Sequence, residues 1–193
     1  MTDTQTLVVA ETQVPVEKTP PRLYIIHHDD HDGHVGAAIA VSVNKHAYLS
    51  IHCLATNYGK PIPVDVEALK AEDSVYIIDF SYKKEILEDI NKRVKFLVVL
   101  DHHESMREEI SGLPYVVFDT TRSGAKLAWD YFTDGYFGDN PVVDIVDAYD
   151  LWNKNFQMEH RGSVLKWREV VAYHIGTYEH QKDIEYWKNQ LAK

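Results

Sequence analysis

Six of the chain's 11 histidines are crowded into two short stretches. His27, His28, His31 and His34 are interleaved with Asp29, Asp30 and Asp32, while His102 and His103 stand between Asp101 and Glu104. Imidazole and carboxylate together form the donor set of divalent-metal centres, and imidazole titrates near neutrality, so metal or proton chemistry is the first reading. His28, Asp30 and Asp32 occupy every second position in a turn, which lets their side chains point to one side, and Gly33 lets the backbone curve tightly into the next element. Asp79 follows an apolar run alone. A further acid is expected from Val143 to Trp152, where Asp147 and Asp150 lie three apart on one helical face and either can reach inward. Carboxylates gathered at one place repel each other unless a cation stands between them, and a divalent metal is the simplest relief.

Positioning these residues needs strands that end at a common edge. Nearly continuous apolar runs at 23–26, 48–54, 75–78, 96–100 and 115–118 are too short for helices and read as strands buried on both faces. Segments 33–45, 64–70, 83–93, 104–110 and 123–132 read as helices between them, with Ile86, Leu87 and Ile90 on the inward side of 83–93. Strand and helix in alternation predict an α/β fold: a mostly parallel five-stranded sheet with helices on both faces and right-handed crossovers, plus a small C-terminal helical extension. In such a sheet ligands bind at the carboxyl ends of the strands, where His28 to Asp32, Asp79 and Asp101 to His103 all fall. Residues 1–21 read as a flexible tail with at most a short strand near Leu7 to Val9, 22–155 as the main domain, and 156–193 as the helical extension, with helices near 164–173 and 183–191.

His28-x-Asp30-x-Asp32-Gly33, the strand-end Asp79, the triplet Asp101-His102-His103 and the late Asp150-Leu151-Trp152 resemble, in order, the four motifs of the DHH phosphoesterase superfamily. That family includes RecJ-type exonucleases, nano-RNases, cyclic-dinucleotide phosphodiesterases and family II pyrophosphatases. The resemblance covers about residues 22 to 155 and implies a two-metal centre. His28 and Asp30 are then expected on one ion, Asp32, His102 and Asp150 on the second, and Asp79 between them. His103 is expected to face the substrate phosphate, and Asp101 to orient the histidines as a hydrogen-bond acceptor. A mixed imidazole and carboxylate shell suits Mn2+ better than Mg2+, with Mg2+ or Co2+ as substitutes. Arg122, Ser123 and Gly124 lie where a guanidinium and helix N-terminal amides could meet a second phosphate, although a plain Ser cap beside a solvated Arg explains them equally well.

The implied activity is hydrolysis of short or single-stranded oligonucleotides by metal-activated water. Cyclic dinucleotides, pyrophosphate or another small phosphoester are the alternative substrates, and a scaffold that has lost catalysis is a third reading. Most relatives of this kind carry a second domain with a Gly-rich, His-bearing motif, and no such motif is read in these 193 residues. The substrate wall is therefore expected to be open or supplied by a homodimer. With 20 Lys and Arg against 30 Asp and Glu, the net charge of −10 disfavours coating of duplex nucleic acid. The single Cys53 excludes an internal disulfide framework, there is no apolar run of membrane-spanning length, and a cytoplasmic location is expected. Cys53 reads as a small buried hydrophobe, Trp152 as a core aromatic, His27 as a strand-end or supporting residue, and His31 and His34 as lying outside the ligand set.

Overall fold

A computed structural model describes residues 20–153. The tail expected over 1–21 lies almost wholly outside the described residues, as do the extension over 156–193 and its two helices. The described residues form a five-stranded sheet in the order β2-β1-β3-β4-β5, every pair parallel. β1 is Arg22–His28, β2 Ser50–Thr56, β3 Ser74–Ile78, β4 Phe96–Asp101 and β5 Val116–Phe118. Helices α1 (His31–Asn44), α2 (Lys84–Arg93), α3 (Arg107–Ile110), α4 (Gly124–Thr133) and α5 (Pro141–Asp150) complete the fold.

The alternation of side chains along each strand divides the core into two layers. On one face Ile25, Tyr76, Ile78, Val98 and Leu100 pack under α1, α4 and α5 through Val35, Ala38, Ile39, Leu127 and Val143. On the other, Ile26, Val75, Ile77, Leu97 and Val99 pack under α2 and α3 through Leu87, Ile90 and Ile110. Small residues let α1 lie close: a methyl added at Gly36 would stand 2.5 Å from the Ile78 side chain. Central β3 is buried along its whole length, whereas β2 has only Thr56 fully buried, because it is the edge strand and one side has no neighbour among the described residues.

Several local expectations are corrected. Segment 64–70 holds only a single 3-10 turn, Val66–Ala68, because Pro61 and Pro63 fix the approach and Asp65 caps the turn with a bond to the Glu67 amide. Segment 104–110 splits into a 3-10 turn and the one-turn α3. Ile86 is 39% exposed, since Leu87 and Ile90 fill the contact with the sheet and leave it at the rim. Trp152 is 79% exposed: α5 ends at Asp150 and Trp152 takes a left-handed φ of 53° that turns it off the core. Gly33 is an ordinary residue of α1 without positive φ, and its requirement is steric, because a Cβ there would run into the His28 backbone. Cys53 is half-buried against the α1 layer.

Candidate metal centre

The carboxyl ends of β1, β3 and β4 meet at one edge, as parallel strands require. β1 ends on His28 and β4 on Asp101, while Asp79 directly follows β3. Asp79 has φ 57°, a left-handed conformation that an aspartate accepts more readily than a β-branched residue, and its amide is fixed by donation to the Leu100 carbonyl at 2.8 Å. α1 contributes Asp30 as its N-cap, accepting from the Gly33 amide at 3.0 Å, and Asp32 from its first turn. α5 contributes Asp150 from its last turn.

Two groups of ligand atoms result, each with its members within 4.8 Å of one another: His28 with Asp79 and His103, and Asp32 with His102 and Asp150. His102 Nε2 lies 3.0 Å from Asp79 Oδ1, 3.4 Å from Asp150 Oδ2 and 3.7 Å from Asp32 Oδ2. His28 Nδ1 lies 2.6 Å from Asp30 Oδ2 and 3.7 Å from Asp79 Oδ2. The two oxygens of Asp79 thus face the two groups, and its Oδ2 is buried without a hydrogen-bond partner. Asp30 lies beside His28 but outside both groups, and His103 stands with His28 and Asp79.

Asp101 is fully buried behind the two histidines. Its Oδ1 accepts from the amides of His102 and His103 at 2.8 and 3.1 Å and faces His103 Nδ1 at 2.8 Å, which fixes the loop and the ring together. His27 is buried edge-on to His34, with Nδ1 donating to the His28 carbonyl at 2.9 Å. Burial, then the neighbouring His34, push its pKa down to about 4, so it supports the turn as a neutral ring.

The electrostatics without a cation are those of a strained acid cluster. Burial, then the charges of Asp79 and Asp150, raise Asp32 well above the ordinary carboxylate range. Burial does the same to Asp79, with Asp30 and Asp150 adding to it against the opposing attraction of His28. Asp150 is raised by burial, which the attraction of His102 only partly offsets. His28 goes the other way: the carboxylate of Asp30 beside it, and then that of Asp79, push it up to about 10. Although burial works against it, that pairing holds Asp30 below the usual carboxylate value. A proton on His28 therefore supplies, in part, the positive charge that the acids demand.

Asp147 and Asp150 differ in direction. Asp147 Oδ1 accepts from the Ser123 amide at 2.7 Å, outside both ligand groups, whereas Asp150 faces His102. The α4 amides are not open to a second phosphate. Gly124 and Ala125 donate to the two oxygens of Asp32, Lys126 donates to Ser123 Oγ, and the Ser123 amide is taken by Asp147. Arg122 is likewise engaged, with Nε on Asp119 at 2.9 Å and a terminal nitrogen on Asp130 at 3.0 Å. The negative charge that these donors attract is supplied from within the protein. Gly124 has a different role, since a Cβ there would collide with the Asp79 side chain and backbone.

Sequence reasoning passed over the aromatic side of the site. Tyr58, in the loop after β2, stands with its ring centroid 6.0 Å from that of His28, 5.6 Å from His103 and 4.5 Å from Phe80. The strand-end rule applied to the second strand would have found it, but its type carries no metal signal.

Fold and site together define an α/β protein with two adjoining imidazole and carboxylate groups that could each hold a metal ion. No family model matches the chain. An uncharacterised protein of Acanthamoeba polyphaga mimivirus is 28% identical over 125 residues, which cover 62% of this chain and 26% of that protein, so the chain spans about a quarter of its relative's length. Among solved structures, an uncharacterised protein from Helicobacter pylori shares the fold with a TM-score of 0.57 at 17% identity, over 87% of this chain and 62% of that one. RecJ from Thermus thermophilus, crystallised with Mn2+, aligns with a TM-score of 0.45 at 19% identity, over 64% of this chain and 20% of its own. No helix among the described residues is long and apolar enough to cross a membrane.

Proposed function

We propose that this chain is a Mn2+-dependent phosphodiesterase of the DHH superfamily that hydrolyses short or single-stranded oligonucleotides. The reading is carried by the convergence of side chains from the ends of β1, β3 and β4 and from α1 and α5 into two adjoining ligand groups with Asp79 facing both. The residues fit a metal pair on a structural criterion. A buried carboxylate oxygen with no hydrogen-bond partner, Asp79 Oδ2, is costly unless a cation answers it. Nitrogen and oxygen donors in both groups favour Mn2+ over Mg2+, with Co2+ as a workable substitute.

His28 and Asp79, with His103 or the adjacent Asp30, are assigned to one ion, and Asp32, His102 and Asp150 to the other. Bound there, such ions supply an acidified water and positive charge for the phosphate oxygens. The remaining work falls to the chain. Asp101 holds His103 Nδ1 at 2.8 Å, the nitrogen that also comes within 4.0 Å of Asp79 Oδ1, and so fixes this ring beside the ligand group. The rigid helix caps at Asp30 and Asp32 keep the first-strand turn from relaxing when the acids are charged.

The test is a panel incubated with Mn2+: a labelled dinucleotide, a longer single strand, a cyclic dinucleotide and pyrophosphate, each with a chelator control. Loss of the dinucleotide or the single strand, abolished by chelator, is the expected result. Consumption of pyrophosphate alone, or of nothing, would overturn the proposal.

A further inference from the structure

Beside the acidic edge lies a row of rings that the metal chemistry does not use. Phe80, immediately after Asp79, is 2% exposed and lies between Tyr58 and Tyr82, with ring centroids 4.5 and 4.9 Å away. Phe80 also stacks on His28 at 6.2 Å with an interplanar angle of 22°. Tyr58 closes the outer end of this row and leans edge-on to His103. It remains 43% exposed, whereas Phe80 and Tyr82 behind it are buried. Its ring rests against Phe80, His28 and His103, so it is held by its neighbours while part of its surface stays open.

We propose that Tyr58 is the stacking platform for a nucleobase of the substrate, placing the attached phosphate against His103 and the ligand groups. The inference rests on the phosphodiesterase reading for where the phosphate sits, and it adds the residue that makes a base worth having. A pinned, half-exposed ring loses little freedom on binding, and every base offers it a π-face, so such a platform selects nucleotides over inorganic or purely aliphatic phosphates without choosing a sequence. The acidic edge could not do this itself, since carboxylates and imidazoles held by ions recognise only the phosphate. Tyr58 and Asp79 also share the buried Phe80 as a neighbour, so the platform and the ligand cluster are held by the same piece of core.

The experiment compares binding of adenosine 5′-monophosphate and ribose 5-phosphate to the Mn2+-loaded protein by titration calorimetry, in the wild type and in Tyr58→Phe and Tyr58→Leu. Stacking of about 1–3 kcal/mol per base corresponds to a preference for the nucleotide of roughly 5- to 150-fold. The wild type and Tyr58→Phe are expected to show it. Tyr58→Leu is expected to bring the two affinities together by weakening the nucleotide and leaving ribose 5-phosphate unchanged. Equal affinities in the wild type overturn the inference without any variant, as does a preference that survives in Tyr58→Leu. The binding ratio does not depend on turnover. A protein that prefers the nucleotide but cleaves no diester in the substrate panel would sink the phosphodiesterase reading and leave the platform standing.

Discussion

Replacing Asp79 by asparagine should make the metal-free protein more stable and the metal-loaded protein less so. The side chain is 1% exposed, has one oxygen without a partner, and feels the charges of Asp30 and Asp150. Asparagine keeps the shape, still accepts from His102 at Oδ1, and is at ease at φ 57°. Removing an unsatisfied buried carboxylate recovers at least about 1–3 kcal/mol. An ion present at 100 times its dissociation constant stabilises the wild type by about 2.7 kcal/mol. At about 3 °C per kcal/mol for a domain of this size, Tm in chelator should rise by roughly 3–9 °C in Asp79→Asn. The Mn2+-induced rise, roughly 8 °C in the wild type, should shrink to near zero. Thermal melts of both proteins, with chelator and with Mn2+, decide the matter, and turnover of the dinucleotide should vanish in parallel. A variant that melts lower than wild type in chelator, or that keeps the full Mn2+ increment, would refute the claim that this buried carboxyl group is kept at a cost to the fold for the sake of a cation.

Metal affinity should climb with pH: Asp32, Asp79 and Asp150 are raised and His28 is pushed up to about 10, so every one of them must release a proton to become a ligand. Calorimetric titrations from about pH 6 to 8.5 in buffers of different ionisation enthalpy should show that release, and pH-independent binding would count against it. Linkage gives the metal-free fold the opposite trend. A folded pKa above the unfolded one stabilises below the unfolded value and loses that contribution as pH rises, so for His28 the loss runs from about 6.5 towards 10 and melts in chelator should fall across it. Gly124→Ala should destabilise by about 1–3 kcal/mol, seen as a lowered Tm, because the collision with Asp79 outweighs the roughly 1 kcal/mol that alanine gains in a helix. Asp147→Ala should cost about 1 kcal/mol through the freed Ser123 amide and keep its activity. Asp150→Ala should keep the fold and lose the Mn2+ shift; equal behaviour of the two variants would argue against the assignment.

Local chemistry was legible where a residue's type and its place at a strand end were enough. The apolar runs set the five parallel strands, and a parallel sheet forces their carboxyl ends to one side, so His28, Asp79 and His102 had to share an edge, while the strand order β1-β3-β4 that makes them neighbours is seen only in the structure. What escaped depends on contacts between segments far apart in the chain. Asp32 and the α4 amides are joined across most of the described residues, and nothing in the pattern Arg122-Ser123-Gly124 tells an amide open to phosphate from one already answered by a carboxylate. Asp147 and Asp150 share a face by spacing, and only the turn of α5 against α4 separates their partners. Helical periodicity placed Ile86 inward because it does not see where the sheet ends. Tyr58 was invisible for another reason: an aromatic beside a turn is ordinary until its ring is seen against His28 and His103.

The carboxylate of Asp32 answers to two masters, the amides that open α4 and the ring of His102. An ion held there must share its oxygens with those amides, and the proton given up on binding changes the same oxygens, so filling or emptying the site is felt at the start of α4. Hydrogen exchange at Gly124 and Ala125 therefore becomes a built-in gauge of occupancy, differing between the vacant and the filled pocket and readable by mass spectrometry in a protein that turns over nothing at all.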